Sequence, residues 1–241
     1  MTAPDSSAFD HSAFDPDTFS GRVRLFPIPN VVMFPHVLCP LHVFEPRYRE
    51  LTQAALAGDH LIAIPTLKSD APTGDVPNDA PLDPIACLGR VTSHHRSPDG
   101  RYTLLLQGVG RIRLAAELET ERAFREAKAT LLEDQYPGGA SADVACRNLR
   151  DQLLAGFRDS LPVATAGNDM LVELAHSSVP LGMIADIAAF AFLIDQSIKK
   201  QLLAELDVVR RTERLIEQMP GAGHRTHRVR TRKFPPDFGL N

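Results

Sequence analysis

The chain has 241 residues, 44% hydrophobic and 23% charged, with a formal net charge of -4 at pH 7. That is the balance of a globular protein with enough apolar mass for a core, and it excludes a chain that binds nucleic acid through bulk positive charge. The three cysteines, Cys39, Cys87 and Cys146, include no C-x-x-C pair, which excludes a disulfide framework and a four-thiolate zinc site and points to a reducing, cytoplasmic compartment.

Residues 1–20 carry Asp5, Asp10, Asp15 and Asp17 and no Lys or Arg. This is the reverse of a targeting signal, and it predicts a flexible acidic tail. From Arg22 to about Glu133 the chain runs in short apolar stretches broken by Pro and Gly. They read VRLFPIP, VVMFP, VLCPLHVF, LIAIPTL, IACLGRV, YTLLLQGV, RIRLAAEL and REAKATLL, and each predicts a strand. One helix interrupts them: Pro46 suits a first turn, Tyr48, Leu51, Ala54 and Ala55 recur at helical spacing, and Gly58 ends it. Lys68–Pro84, rich in Pro and Asp, predicts a long surface loop. Ser97-Pro98-Asp99-Gly100 predicts a hairpin turn, and Gly108 with Gly110 a bulge or sharp bend.

After Pro137-Gly138-Gly139 the period becomes helical. Helices are predicted over Asp143 to about Ser160, Met170–His176, Gly182 to about Leu193 and Ser197–Met219. On the last, Leu202, Leu206, Val209, Ile216 and Met219 form an apolar stripe, and Pro220-Gly221 stops it. Residues 221–241 hold Arg225, Arg228, Arg230, Arg232 and Lys233 and predict a basic flexible tail. The longest apolar run, Pro180–Ile194, is interrupted by Asp186 and falls short of the roughly 20 residues that span a bilayer, so no membrane segment is predicted. The resulting organisation is an acidic tail over 1–20, a β-rich part over 21–135, a helical part over 136–220 and the basic tail over 221–241.

Catalytic signatures are missing from this sequence. No Gly is followed by Lys as a phosphate loop requires, there is no G-x-S-x-G or H-E-x-x-H, and Gly108-Val109-Gly110 is followed by Arg113 where a dinucleotide site needs Gly or Ala. His36, Cys39 and His42 are three soft ligands within seven residues. Strand alternation puts Cys39 on the face opposite the two histidines, which favours a buried thiol over a metal site. His94-His95 precede a turn, where exposed polar residues are the default. Glu45, Arg47 and Arg49 read as a helix start more readily than as a ligand-binding trio. No metal and no cofactor are expected.

Leu25-Phe26-Pro27-Ile28-Pro29-Asn30-Val31-Val32-Met33-Phe34-Pro35, followed by Leu41-His42-Val43-Phe44-Glu45-Pro46-Arg47-Tyr48-Arg49, resembles the N-terminal substrate-recognition domain of Lon proteases. The match continues through Cys87-Leu88-Gly89-Arg90-Val91, the Pro98-Asp99-Gly100 turn, Gln107–Arg113 and Leu202–Arg211. The sequence looks most like the free-standing bacterial members. One departure is His36, where the family often has Gly. The resemblance implies an α+β fold, a β-rich PUA-like pseudo-barrel followed by a C-terminal α-helical bundle. It carries no ATPase or Ser-Lys peptidase domain, so the expected role is non-catalytic recognition of exposed or unfolded polypeptide. An adaptor role in protein quality control, with a separate protease or chaperone as partner, follows from the same resemblance.

A pseudo-barrel can bind peptide along an unpaired strand edge or in an apolar groove. Phe26, Met33, Phe34, Phe44 and Tyr48, in the most family-like stretch, are the candidate polypeptide-binding residues, with membership of the core as the competing explanation for each. The alternative function is an RNA-binding PUA-like module using the Arg-rich tail. Against it stands the lack of a basic, aromatic stripe in the folded part, so nucleic acid is not the expected partner.

Overall fold

The computed structural model of the chain describes residues 14–68, 77–160, 179–192 and 194–219. The tail as far as residue 13, the middle of the Lys68–Pro84 loop, the predicted helix Met170–His176 and the basic tail lie outside the described residues. The chain divides into two compact units with the break after Leu132.

The first unit is a curled antiparallel sheet. Its strands are β1 (Arg22–Arg24), β2 (Leu38–Val43), β3 (Leu61–Leu67), β4 (Leu82–Arg96), β5 (Tyr102–Leu118) and β6 (Glu126–Leu132), and helix α1 (Pro46–Leu56) lies between β2 and β3. The hydrogen-bonded order is β1-β6-β5-β4-β3, with β2 also paired to β5. Leu25 forms a parallel bridge to Ala63, and the Phe26 N–H donates to the Ala63 carbonyl at 2.9 Å, so the two ends of the sheet meet.

YTLLLQGV and RIRLAAEL, predicted as two strands, are the single strand β5. Leu88 opposes Gly110 and Gly89 opposes Gly108, so Val109 is absorbed as a bulge and the strand bends without leaving the sheet. Before the bulge β5 lies between β2 and β4, and after it between β6 and β4. Of VRLFPIP only the start is a strand, and VVMFP is not one. Pro27, Pro29 and Pro35 offer no N–H to a ladder, and Val31–Phe34 are held instead by burial of their side chains.

Inside the curl, Val23, Leu25, Leu61, Ala63, Ala86, Leu88, Ile112, Ala127 and Ala129 form one cluster, with Phe14 and Phe19 packed against it. The two rings meet edge to face at 6.5 Å, and Asp15 caps the short 3-10 turn Pro16–Thr18 between them by accepting from the Asp17 N–H at 3.0 Å. This stretch falls within the predicted flexible tail and is instead packed on the cluster through its two aromatic rings. On the other face of the sheet, the alternate residues Ile62 and Ile64 are buried, as are Met33, Phe34, Leu51, Leu104 and Leu106. The hairpin forms where predicted: Gly100 has φ +82°, and its N–H donates to the Ser97 carbonyl at 2.8 Å.

The second unit is helical: α2 (Ala140–Ser160), α3 (Leu181–Ala191), α4 (Gln196–Ala204) and α5 (Val208–Glu217). The helix predicted over Ser197–Met219 is two. Asp207 starts the second by accepting from the Arg210 N–H at 3.0 Å. Gln135 fills the gap, donating to the Leu206 carbonyl at 2.8 Å and accepting from the Val208 N–H at 3.1 Å. Arg211 of α5 is wholly buried. Its guanidinium donates to both oxygens of Asp134 at 2.9 and 2.5 Å and to the Glu205 carbonyl at 2.8 Å. Nε lies 3.3 Å from the equally buried Asp186, an ion pair without hydrogen-bond alignment. The fold is therefore α+β, as the resemblance implied. No helix among the described residues is long and apolar enough to cross a membrane.

Candidate functional site: the outer edge of the second strand

β2 enters the sheet through a tight turn. The His36 N–H donates to the Gly108 carbonyl at 2.8 Å, and the Gly108 N–H donates to the Val37 carbonyl at 2.9 Å. With His36 at φ +66°, this is the pattern of a bulge whose first residue is left-handed, a position that favours glycine. The structure thus places His36 where the resemblance flagged a departure from Gly. Replacing His36 with glycine is expected to stabilise the first unit by about 0.5–1 kcal/mol by removing the Cβ from that conformation. A rise in the urea midpoint at constant slope is the readout.

The Gly108–Val37 bond fixes which main-chain groups of β2 face β5. In an antiparallel ladder the bonds alternate, so with Leu38 opposite Gln107 and Cys39 opposite Leu106, the odd-numbered residues bond to β5. Leu38, Pro40 and His42 turn their main-chain groups the other way. Among the described residues these groups take no main-chain partner, and only the Cys39 thiol approaches the Pro40 carbonyl, at 4.0 Å. Proline is tolerated in the middle of β2 because its missing N–H lies on the side away from β5.

The side chains on this strand split by parity. Cys39, Leu41 and Val43 are buried, whereas Leu38 and Phe44 are 45% and 59% exposed. His42 is also exposed, and its Nδ1 lies 3.3 Å from the Thr103 hydroxyl across the strand pair. Two large apolar side chains thus flank an unpaired strand edge, separated along it by Pro40 and His42.

The five residues singled out in the sequence do not come together at this surface. Met33 and Phe34 are fully buried, and Phe26 and Tyr48 nearly so. The Phe26 and Tyr48 rings stack at 4.2 Å, and the Arg47 guanidinium covers the Tyr48 ring at 4.5 Å. Burial pushes the Tyr48 hydroxyl up to about 12. Phe44 alone stands in solvent. Leu38 was not among the candidates, yet its parity with Phe44 along the strand was the signal that could have found it.

The remaining motifs are drawn into the structure. Arg47 pairs with Glu45 at 2.7 Å and also donates to Asn78, and the Arg49 guanidinium lies against Gly100 of the hairpin. Cys39 faces away from His42, and among the described residues no three His, Cys, Asp or Glu side chains gather as metal ligands. Burial pushes the Cys39 thiol from 9.0 up to about 12, which keeps it protonated and unreactive. Cys39 is therefore expected to resist alkylation in the native protein at pH 8, when the more exposed Cys146 reacts; mass spectrometry of iodoacetamide-treated samples, native and unfolded, reads this. A thiol raised in the folded state adds stability below its unfolded value and loses it as pH rises. The Cys39 contribution is accordingly complete below about pH 9 and fades towards pH 12, and Cys39→Val should flatten the alkaline limb of a stability profile.

Comparison with known proteins gives consistent matches. A family model described as the ATP-dependent protease La (LON) substrate-binding domain matches residues 22–220. The chain is 29% identical over 198 residues to a Lon protease of Paraburkholderia phytofirmans, covering 82% of this chain and 24% of that protein. It is 28% identical over 193 residues to a Lon protease of Dictyoglomus thermophilum, covering 79% of this chain and 23% of that one. The chain thus spans about a quarter of the length of the curated relatives it matches. Among solved structures, the N-terminal domain of the Mycobacterium avium complex Lon protease superposes with a TM-score of 0.62 at 16% identity, over 81% of this chain and 96% of that one. A Lon N-terminal domain protein from Xanthomonas campestris gives 0.57 at 18% identity, over 83% and 99%.

Proposed function

Because this chain belongs to the family of the ATP-dependent protease La (LON) substrate-binding domain, we propose that it is a non-catalytic module that recognises exposed or unfolded polypeptide, with the outer edge of β2 as its contact surface. The observation that carries the assignment to β2 is the exposure of Leu38 at its start and of Phe44 directly after its end, while the alternating Cys39, Leu41 and Val43 are buried. Large apolar side chains are held in water there beside open main-chain groups, which suits a ligand that is itself an unfolded chain. In this reading the protein acts as an adaptor in cytoplasmic protein quality control, passing bound chains to a separate protease or chaperone. The similarity to a domain of proteases that bear the Lon name supports that role.

Fluorescence anisotropy with a labelled, permanently unfolded polypeptide tests the proposal. Saturable binding that changes little between low and high salt is expected, because apolar burial rather than counterion release drives it. Phe44→Ala is expected to weaken binding about ten-fold, the effect of losing most of a buried aromatic contact, and to leave the melting temperature within about two degrees of the parent. Tighter, salt-sensitive binding of a labelled single-stranded RNA, with no polypeptide binding, would overturn the assignment.

A further inference from the structure

We infer that the ligand is an extended, uncharged polypeptide segment that adds to β2 as an antiparallel strand, in the register that sets its apolar residues beside the exposed Leu38 and Phe44; this rests on the polypeptide-recognition reading above. Among the described residues, the open side of β2 offers the N–H groups of Leu38 and His42 and the carbonyls of Leu38, Pro40 and His42, with a donor missing at the centre. A guest strand placed with residues opposite His42, Pro40 and Leu38 gives its N–H at each of those three positions. It finds donors for its own carbonyls at the outer two only.

The same missing donor argues against a second copy of this chain as the occupant. A two-fold pairing of β2 with β2 that engages all three residues sets Pro40 opposite Pro40 and loses both central bonds, whereas a guest of other sequence loses one. Proline on an edge strand is a known block to edge-to-edge association. Side-chain chemistry completes the description. Directly opposed residues share a face, so guest residues lie beside Phe44, His42, Pro40 and Leu38 at every second position. None of those four host side chains is a carboxylate, a lysine or an arginine, so charged guest residues at these positions meet no opposite charge. Guest residues beside Phe44 and Leu38 gain by being apolar. The fitted segment is therefore seven residues long, apolar at its first and seventh residues, with small uncharged residues between.

The test uses the full chain and an acetylated, amidated, fluorophore-tagged peptide with leucine at its first and seventh residues and threonine and serine between. A series of single N-methylations then removes one peptide N–H at a time. Methylation at the third, fifth or seventh residue is expected to weaken binding on the order of ten-fold, since a host carbonyl is left unpaired. At the second, fourth and sixth residues a change below about three-fold is expected, because those N–H groups point away from β2. Pro40→Ala, which restores the central donor, is expected to bind the parent peptide a few-fold more tightly, with circular dichroism checking that the variant is folded.

A parent peptide that binds without this alternation, or a folded Pro40→Ala protein that binds it no more tightly, overturns the inferred strand addition and leaves polypeptide recognition standing. So does failure of the peptide when the unfolded polypeptide binds. Failure of both probes overturns the two readings together.

Discussion

Replacing Gly108 with alanine is expected to lower the stability of the sheet unit by about 3 kcal/mol or more, whereas the same change at Gly110, two residues on, is expected to stay within about 1 kcal/mol. A Cβ at Gly108 would overlap the Phe34 carbonyl oxygen and lie 3.0 Å from the Phe34 carbonyl carbon and the Pro35 Cα. These are backbone atoms, so no rotamer change relieves the overlap. Movement of the Phe34–Pro35 segment would break both hydrogen bonds that seat His36 and Val37 on β5, and would lift Met33 and Phe34 from the core. At Gly110 the nearest atom is the end of the Leu131 side chain at 3.5 Å, an ordinary contact. Paired urea titrations of the two variants measure the difference. Equal losses would mean that the close passage of Phe34 over β5 is not what requires glycine.

Arg211→Met is expected to cost 3–5 kcal/mol, on the scale found when one partner of a buried ion pair is removed (about 3–5 kcal/mol). The guanidinium is fully buried and faces Asp186, also fully buried, and Asp134, which is 21% exposed. Its removal leaves a carboxylate in the helical unit without its cation and frees the Glu205 carbonyl at the α4–α5 junction. The neighbouring Arg210, 71% exposed and paired among the described residues with Asp207 at 3.7 Å, serves as the control, with an expected loss of about 0.5 kcal/mol or less. Adding Asp186→Leu to Arg211→Met should recover part of the loss, because the pair is then replaced by apolar groups. Thermal and urea unfolding followed at 222 nm reads all of these variants.

Those two residues also show where the sequence was legible and where it was not. Alternation and turn chemistry located β2, α1, β3 and the Ser97–Gly100 hairpin, because each is decided by a few adjacent residues. The bulge at Val109 was visible in its glycines, but nothing local says that β5 continues through it; that depends on β6 taking over from β2 as partner. In the last helices Leu202 and Met219 of the predicted stripe are buried, but on α5 the period was right and the phase was not. The stripe on α5 is Val208, Arg211, Thr212 and Leu215, one position away from the predicted Val209 and Ile216, since an arginine was not expected to occupy a core position. Its partners Asp134 and Asp186 lie far away in sequence, beyond the reach of any local pattern. For the site, position in the most family-like stretch selected Phe26, Met33, Phe34 and Tyr48 along with Phe44, whereas only the exposure of alternate residues along β2 and just after it distinguishes Leu38 and Phe44 from the core.

The closure of the curled sheet bears on how the protein is made. β1 is three residues long and pairs with Arg22 opposite Lys128 and Arg24 opposite Glu126, and the Arg22–Glu126 ion pair joins residues 104 apart in sequence. Contacts that distant slow folding, because a long loop must be closed before they form. During synthesis the first strand therefore leaves the ribosome with no partner until β6 follows, at about 5–20 residues per second. For that interval Val23, Leu25, Phe14 and Phe19 have no Ala127 or Ala129 to cover them. A nascent chain stalled before residue 126 would expose the same kind of apolar segment that the finished protein is proposed to recognise.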